Sequence, residues 1–357
     1  MNHYTIRFVL RLVAGSLGIL CLIGIVCLIA FRLGGFPAIA KNKPGNPLAE
    51  AQALAGNNRY GEAVALFNQA IAENDRDTDA LLGRGMSHIE LGQPDQAEAD
   101  FNRFLGINPV SAEAHAQLGR VHAMRGNHMA ALAAFEKSLS INSNAAEVCY
   151  WRAKALSQLG RDAPAEAGFT TALGLNPLMA AAALGRGQAR LRLRQYADAL
   201  ADFNLARQLL PQAAGPLSGA GLALMGLNRM PEAEAAFTTA IKLDPNPATV
   251  YHNRALARFS MGNNEASLQD VDTASRLDPN LAKAHLLRGM IFARKERHRE
   301  ALAAFDEAIR LDPTDAKTRH LRDASAQALA GNTPPPNPQP MPPSALPEGT
   351  ANTSPSR

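Results

Sequence analysis

Residues 236–245 read AFTTAIKLDP: an apolar stripe, one phenylalanine, and a proline that ends it. Proline has no N–H to donate and clashes with the preceding turn, so it stops a helix. Alone, the stretch fits any amphipathic helix. Its recurrence decides the fold. Phe67, Phe101, Phe135, Phe169, Phe203, Phe237 and Phe305 fall on a 34-residue grid, with Val271 in the missing slot. Four residues earlier stand Ala63, Ala97, Ala131, Ala165, Ala199, Ala233 and Ala301, with Ser267 as the substitute. Pro109, Pro177, Pro211, Pro245, Pro279 and Pro313 close the units, and Ser143 replaces one proline.

A second small-residue series lies upstream in each unit: Gly85, Gly119, Ala153, Gly187, Gly221, Ala255 and Gly289. Small residues in both halves of a unit let two antiparallel helices approach closely, and the phenylalanine fills the space between them and their neighbours. Turn signals such as LGQ (91–93), RGN (125–127) and MGN (261–263) separate the paired helices. One helix pair cannot bury its own apolar face, so successive pairs must stack. A composition of 46% hydrophobic but 5% aromatic residues agrees, because it builds the core mainly from Ala and Leu.

These residues resemble the tetratricopeptide repeat family over about residues 44–315. The family's Leu-Gly pair appears as Leu118-Gly119, while Arg84-Gly85 and Arg288-Gly289 replace that leucine. The first unit, NPLAEAQALAGNNRY, shows no clean small residue in its first helix. The resemblance implies an all-α fold: a right-handed α-solenoid of about eight helix pairs over residues 48–330. Residues 316–330, AKTRHLRDASAQALA, form the polar-faced capping helix that a solenoid end requires.

The flanks differ from this body. Residues 1–11 are basic, and 12–31, LVAGSLGILCLIGIVCLIAF, carry no charge and lie between Arg11 and Arg32. Twenty helical residues span ~30 Å, the thickness of a bilayer's hydrocarbon core, so this run is expected to be a transmembrane signal-anchor. Ala38-Ile39-Ala40 offers a cleavage site, but the apolar run exceeds a signal peptide's and Arg32 interrupts the approach. Cleavage after Ala40 would instead release a soluble secreted binder. A short basic N-terminus before the first apolar segment usually stays inside. That places the body on the extracytoplasmic side of a bacterial inner membrane, joined by a linker over 32–47. Residues 331–357 contain nine prolines and few hydrophobes, and are expected to be a disordered, proline-rich tail.

Charge narrows the partner class. Residues 1–43 hold Arg7, Arg11, Arg32, Lys41 and Lys43 and no acid, so the remaining 31 basic and 32 acidic side chains leave a net of −1. The body lacks the cationic excess that nucleic-acid binding needs. Cys21 and Cys27 lie in the apolar run, and Cys149, alone in the body, reads as a small buried hydrophobe. No phosphate loop, nucleophile elbow, paired-histidine zinc helix or CxxC pair is present, so neither an enzyme nor a cofactor is expected. Gly219 and Gly221 sit inside a first helix, where packing already explains Gly221. His88, His115 and His122 lie on the packing face with no carboxylate or cysteine to complete a shell, so no metal is expected. Arg84, Arg152, Arg186, Arg254 and Arg288 recur once per repeat, their heads expected to pair with second-helix acids such as Asp100, Asp202 and Asp270.

The resemblance further implies that first helices line a concave groove that takes an extended peptide or a partner helix. The positions carried over are Leu82, Met86, Ile89, Tyr150, Leu184, Leu191, Leu222, Met225, His252, Leu256, Phe259, Leu286 and Met290. So apolar a row fits an apolar or amphipathic protein segment. A subclass that grips chain-terminal carboxylates with Lys and Asn is matched only by Lys154 and Asn253, and the set is incomplete. The expected role is a membrane-anchored scaffold or adaptor. A membrane-tethered import receptor and a regulatory subunit of a membrane-associated enzyme share the architecture.

Overall fold

A computed structural model describes residues 45–331. The apolar run 12–31 expected to anchor the chain, the start of the linker, and the proline-rich residues from 332 onward lie outside them. Among the described residues there are seventeen α-helices and no strand, and no helix is long and apolar enough to cross a membrane. The chain divides after Asp100 into two compact units.

The first unit holds α1 (Pro47–Gly56), α2 (Tyr60–Glu73) and α3 (Thr78–Glu90), and the division falls within α4 (Pro94–Ile107). Asn46 starts α1: its side chain accepts from the Leu48 N–H, and Pro47 occupies a first-turn position where no N–H is needed. The sequence reading found no clean small residue in this helix, and the structure corrects it. Ala51 lies one period before Gly85 and is fully buried.

The second unit continues as helix pairs. They are α5 (Ala112–Met124) with α6 (His128–Ile141), α7 (Ala146–Gln158) with α8 (Asp162–Leu175), and α9 (Ala180–Arg192) with α10 (Tyr196–Leu209). Next come α11 (Ala214–Gly226) with α12 (Met230–Leu243), α13 (Ala248–Ser260) with α14 (Asn264–Leu277), and α15 (Ala282–Arg294) with α16 (His298–Leu311). The expected capping helix forms as α17 (Ala316–Leu329), which packs on α16 and α15.

Phenylalanine rings on second helices press against glycines of first helices, and Phe203 presses against two first helices at once. Phe203 is buried on α10. A Cβ added at Gly187, on its own first helix, would come within 3.0 Å of the ring, and one at Gly219, on the next first helix, would collide with it. Phe135 meets Gly119, Phe237 meets Gly221 and Phe305 meets Gly289 in the first manner; Phe67 meets Gly83 and Phe169 meets Gly185 in the second. The sequence reading identified the first glycine series and missed the second, which lies two residues earlier.

Two further devices hold the register. The second residue after each first helix has positive φ on the same 34-residue period: Gly92, Gly126, Gly160 and Gly262, but Asn58, Arg194, Asn228 and Glu296 in the other four. A β-carbon is disfavoured there by steric contact with the backbone. Second helices stop by two overlapping signals. In AFTTAIKLDP the helix ends at Leu243, and Asp244 accepts from the Asn246 N–H at 3.0 Å. Asn142 makes the same turn (3.1 Å to Asn144 N) where Ser143 replaces the proline, whereas Pro211 follows Leu210, which has no such side chain. Proline is therefore one of two stops.

Phe203→Ala is expected to cost about 3–5 kcal/mol and Gly219→Val about 1–3 kcal/mol. Glu296→Gly, which relieves the left-handed backbone, should instead stabilise by about 0.5–1 kcal/mol. Urea unfolding followed by circular dichroism checks all three, and a neutral Gly219→Val would refute the ring-on-backbone packing.

Candidate functional site

Within the second unit, each first helix touches the next first helix, from α5 through to α17, whereas second helices make no such contact among the described residues. Elements packed closely on one side and splayed on the other curve toward the close side. The first helices therefore form an inner wall.

Burial sorts the thirteen groove positions. In the first unit, Met86 is 39% exposed, Leu82 is half-buried and Ile89 is buried. In the second, Tyr150, Leu184, Leu191, Leu222 and Leu286 are half-buried and reach the wall's surface. Met225, Leu256, Phe259 and Met290 are buried in one core cluster with Phe237 and Phe305, and His252 is buried as well. Phe259 is sealed: the Arg294 guanidinium stacks 3.4 Å above its ring, and Arg294 Nη1 donates to the Phe259 carbonyl at 2.6 Å. Burial holds that guanidinium below its ordinary pKa. These five supply the backing of the wall; the half-buried leucines supply its face.

The arginine series pairs as expected and does more. Arg84 Nε donates to Asp100 at 2.9 Å, Arg186 Nη2 to Asp202 at 2.7 Å, and Arg254 Nη2 to Asp270 at 2.7 Å, each acid sixteen residues later and buried. The same guanidinium groups reach sixteen residues back, to Asn68, Thr170 and Thr238. Each thus ties its first helix to the second helices before and after it. Gly168 and Ala304 occupy the forward slot for Arg152 and Arg288, which turn back to Glu136 (3.3 Å) and Asp272 (2.8 Å). A guanidinium matches a carboxylate with two parallel donors, which suits it to this bridging.

The remaining candidates have the following surroundings. Cys149 is buried, and burial pushes its thiol pKa up. His115 Nε2 lies 3.1 Å from the Pro109 carbonyl, and His88 Nδ1 lies 2.7 Å from Gln93 Oε1. Lys154 sits over the Trp151 ring, 4.9 Å from its centroid, and Asn253 is buried on α13. Trp151 and Arg120, on the same wall as Lys154, were missed by the sequence reading. The available signal was that the chain's single tryptophan occupies the slot filled by Gly83, Gly185 and Gly219 elsewhere.

Paired helices on a 34-residue period with an inner wall of first helices define a helical-repeat binding scaffold. The chain belongs to the tetratricopeptide repeat family. Models described as Tetratricopeptide repeat match residues 48–92, 82–146, 150–214 and 252–316, and a further one matches 217–247. Such repeats mediate protein–protein interaction. No curated protein matches the chain. Among solved structures, the APC/C hetero-tetramer Cut9–Hcn1 is similar at 17% identity with a TM-score of 0.57. That match covers 78% of this chain and 55% of the other, so the chain spans about half of that relative's length. A tetratricopeptide repeat protein from Parabacteroides merdae is similar at 21% identity and TM-score 0.56, over 70% of this chain and 98% of its own. These likenesses concern the fold.

His252 gives the wall a measurable pH dependence. It is buried, its Nδ1 has no hydrogen-bond partner, and burial, helped by the charge of Lys283, lowers its pKa from 6.5 to about 4. The unfolded chain binds a proton at higher pH than the folded chain does. Stability is therefore complete above pH 6.5 and falls as the pH drops toward 4. Comparison with His252→Leu should show a stability difference that grows by about 3 kcal/mol between pH 7 and pH 4. A pH-independent difference in urea titrations would refute it.

Proposed function

We propose that the chain is a membrane-anchored scaffold whose inner wall binds a segment of a partner protein and holds it in a complex at the membrane. The observation that carries the reading is the row Leu184, Leu191, Leu222 and Leu286, half-buried along the first helices of one unit. Exposed apolar rows on a concave face suit an apolar or amphipathic segment, since covering them removes apolar surface from water. The buried residues behind them keep the wall from collapsing into its own groove.

Anchoring rests on the uncharged run 12–31 and its flanking arginines. With the basic residues 1–11 inside, the repeats stand on the extracytoplasmic side of a bacterial inner membrane. Tethering to a membrane confines the scaffold to two dimensions and raises the local concentration of a membrane-bound partner.

A photo-crosslinking side chain at Leu222 is expected to capture a partner in cells, with the adduct mapping to an apolar or amphipathic segment. The same group at Ala235, exposed on α12, should capture none. Capture from Ala235 but not Leu222 would refute the groove. Reporter fusions after residue 47 should be active on the extracytoplasmic side only, and a mature N-terminus at Lys41 would refute the anchor.

A further inference from the structure

Along the wall of the second unit, the stretch from α9 to α13 holds its charges in pairs. α11 carries no ionisable side chain, and the chain is uncharged from 208 to 228. On α9 and α13 the only charged residues are five arginines. Each is salt-bridged to an acid on a second helix, as Arg190 is to Glu166 and Arg258 to Glu234. His252, buried on α13 with its pKa lowered to about 4, is neutral at pH 7. The row Leu184, Leu191 and Leu222 is left half-buried between them.

The same stretch offers an extended chain few hydrogen-bond partners. From α9 to α15, Gln188, Ser218 and His252 are the only polar side chains in the two slots that carry Leu184 and Leu222. Helix backbone groups are already satisfied within each helix. An extended segment laid on such a wall buries backbone N–H groups without partners, and each one costs free energy. Proline avoids that cost because it has no N–H. The wall therefore suits a segment that is uncharged, partly apolar and rich in proline.

The chain itself contains one. Residues 332–347, directly after the described helices, read NTPPPNPQPMPPSALP: no charge, eight prolines among sixteen residues, and Met341 and Leu346 as the larger apolar side chains. Distance permits the match. First helices are in contact from α11 through α13 and α15 to α17. Packed helices lie about 8–10 Å apart, so α17 and α11 are separated by roughly 30 Å. A polyproline chain advances ~3.1 Å per residue, so Met341 can reach about 31 Å beyond Gly331.

We propose that residues 332–347 of the same chain occupy the inner wall between α9 and α15 when no partner is bound, with Met341 and Leu346 set against Leu222 and its neighbours. A tethered segment acts at an effective concentration on the order of millimolar, so modest contacts hold it. A partner segment then binds by displacing the tail, and uncharged, proline-rich apolar segments are the ones that displace it best. This occupancy rests on the groove reading above and adds a means of regulating that site.

Full-length protein in a non-ionic detergent, carrying a photo-crosslinking side chain at Leu222, is purified and irradiated at low micromolar concentration. The expected product is an adduct within one chain whose peptide map joins α11 to residues 332–347. The same group at Ala235, exposed on α12, should give about tenfold less tail adduct, since a segment held on the wall is kept from it. Met341→Asp combined with Leu346→Asp puts charge into the segment and should lower the Leu222 adduct about tenfold. Thr353→Asp, outside the segment, should leave it unchanged. The occupancy is overturned if no tail peptide is recovered from Leu222, if Leu222 and Ala235 capture the tail equally, or if the paired aspartates leave the yield unchanged. It is also overturned if the adducts join only two separate chains, which would give the wall to the tail of a second copy. If Leu222 captures a partner in cells but no tail in the purified protein, the groove stands and the tail occupancy falls. If it captures the tail but no partner, the tail occupancy stands and the partner reading falls; if it captures neither, both fall.

Discussion

A phenylalanine ring pressed against two helix backbones is the contact on which the structure depends. Within the second unit, Phe203 touches the backbone surface of α9 at Gly187 and of α11 at Gly219. One side chain therefore sets the spacing inside a pair and the spacing between pairs. Because side chains at these slots are absent, the ring replaces them, and the first helices come close enough to form a wall. Close packing leaves little room for variation, which is why even a single methyl at Gly219 meets the ring.

The arginine bridges are complementary: Phe203 on α10 joins the first helices α9 and α11, and Arg186 on α9 joins the second helices α8 and α10. They join polar groups sixteen residues before and after each arginine, where the phenylalanine joins apolar surfaces at the same separations. The pairing also reads within the sequence. Arginine at the first-helix slot meets aspartate ahead at Asp100, Asp202 and Asp270, or an acid behind at Glu136 and Asp272. Such matching gives each buried aspartate an arginine partner.

Departures from the repeat shape the surface of the wall. Repeats that keep glycine before the ring close tightly, and the repeat that carries Trp151 leaves a cavity lined by the indole. Repeats that place leucine on the wall present apolar surface, and the one that places His252 there buries it. A scaffold of this kind gains specificity from departures at a few slots, while the grid residues maintain the spacing between them.

Much of the fold was legible in the chain. The period of Phe67 through Phe305, the helix stops and the capping helix were readable because each depends on residues close in sequence or separated by a constant 34. Ala51 was also there to be read, one period before Gly85. Which groove positions face outward was not legible. Leu222 and Leu256 occupy the same slot, yet one is half-buried and the other is 2% exposed. The difference comes from neighbours on other helices, whose side-chain volumes decide what remains open. The cavity beside Trp151 is likewise a property of α5, α6 and α7 together. Periodicity sets which residues point toward the inner wall; only the packed helices determine which of them a partner can reach.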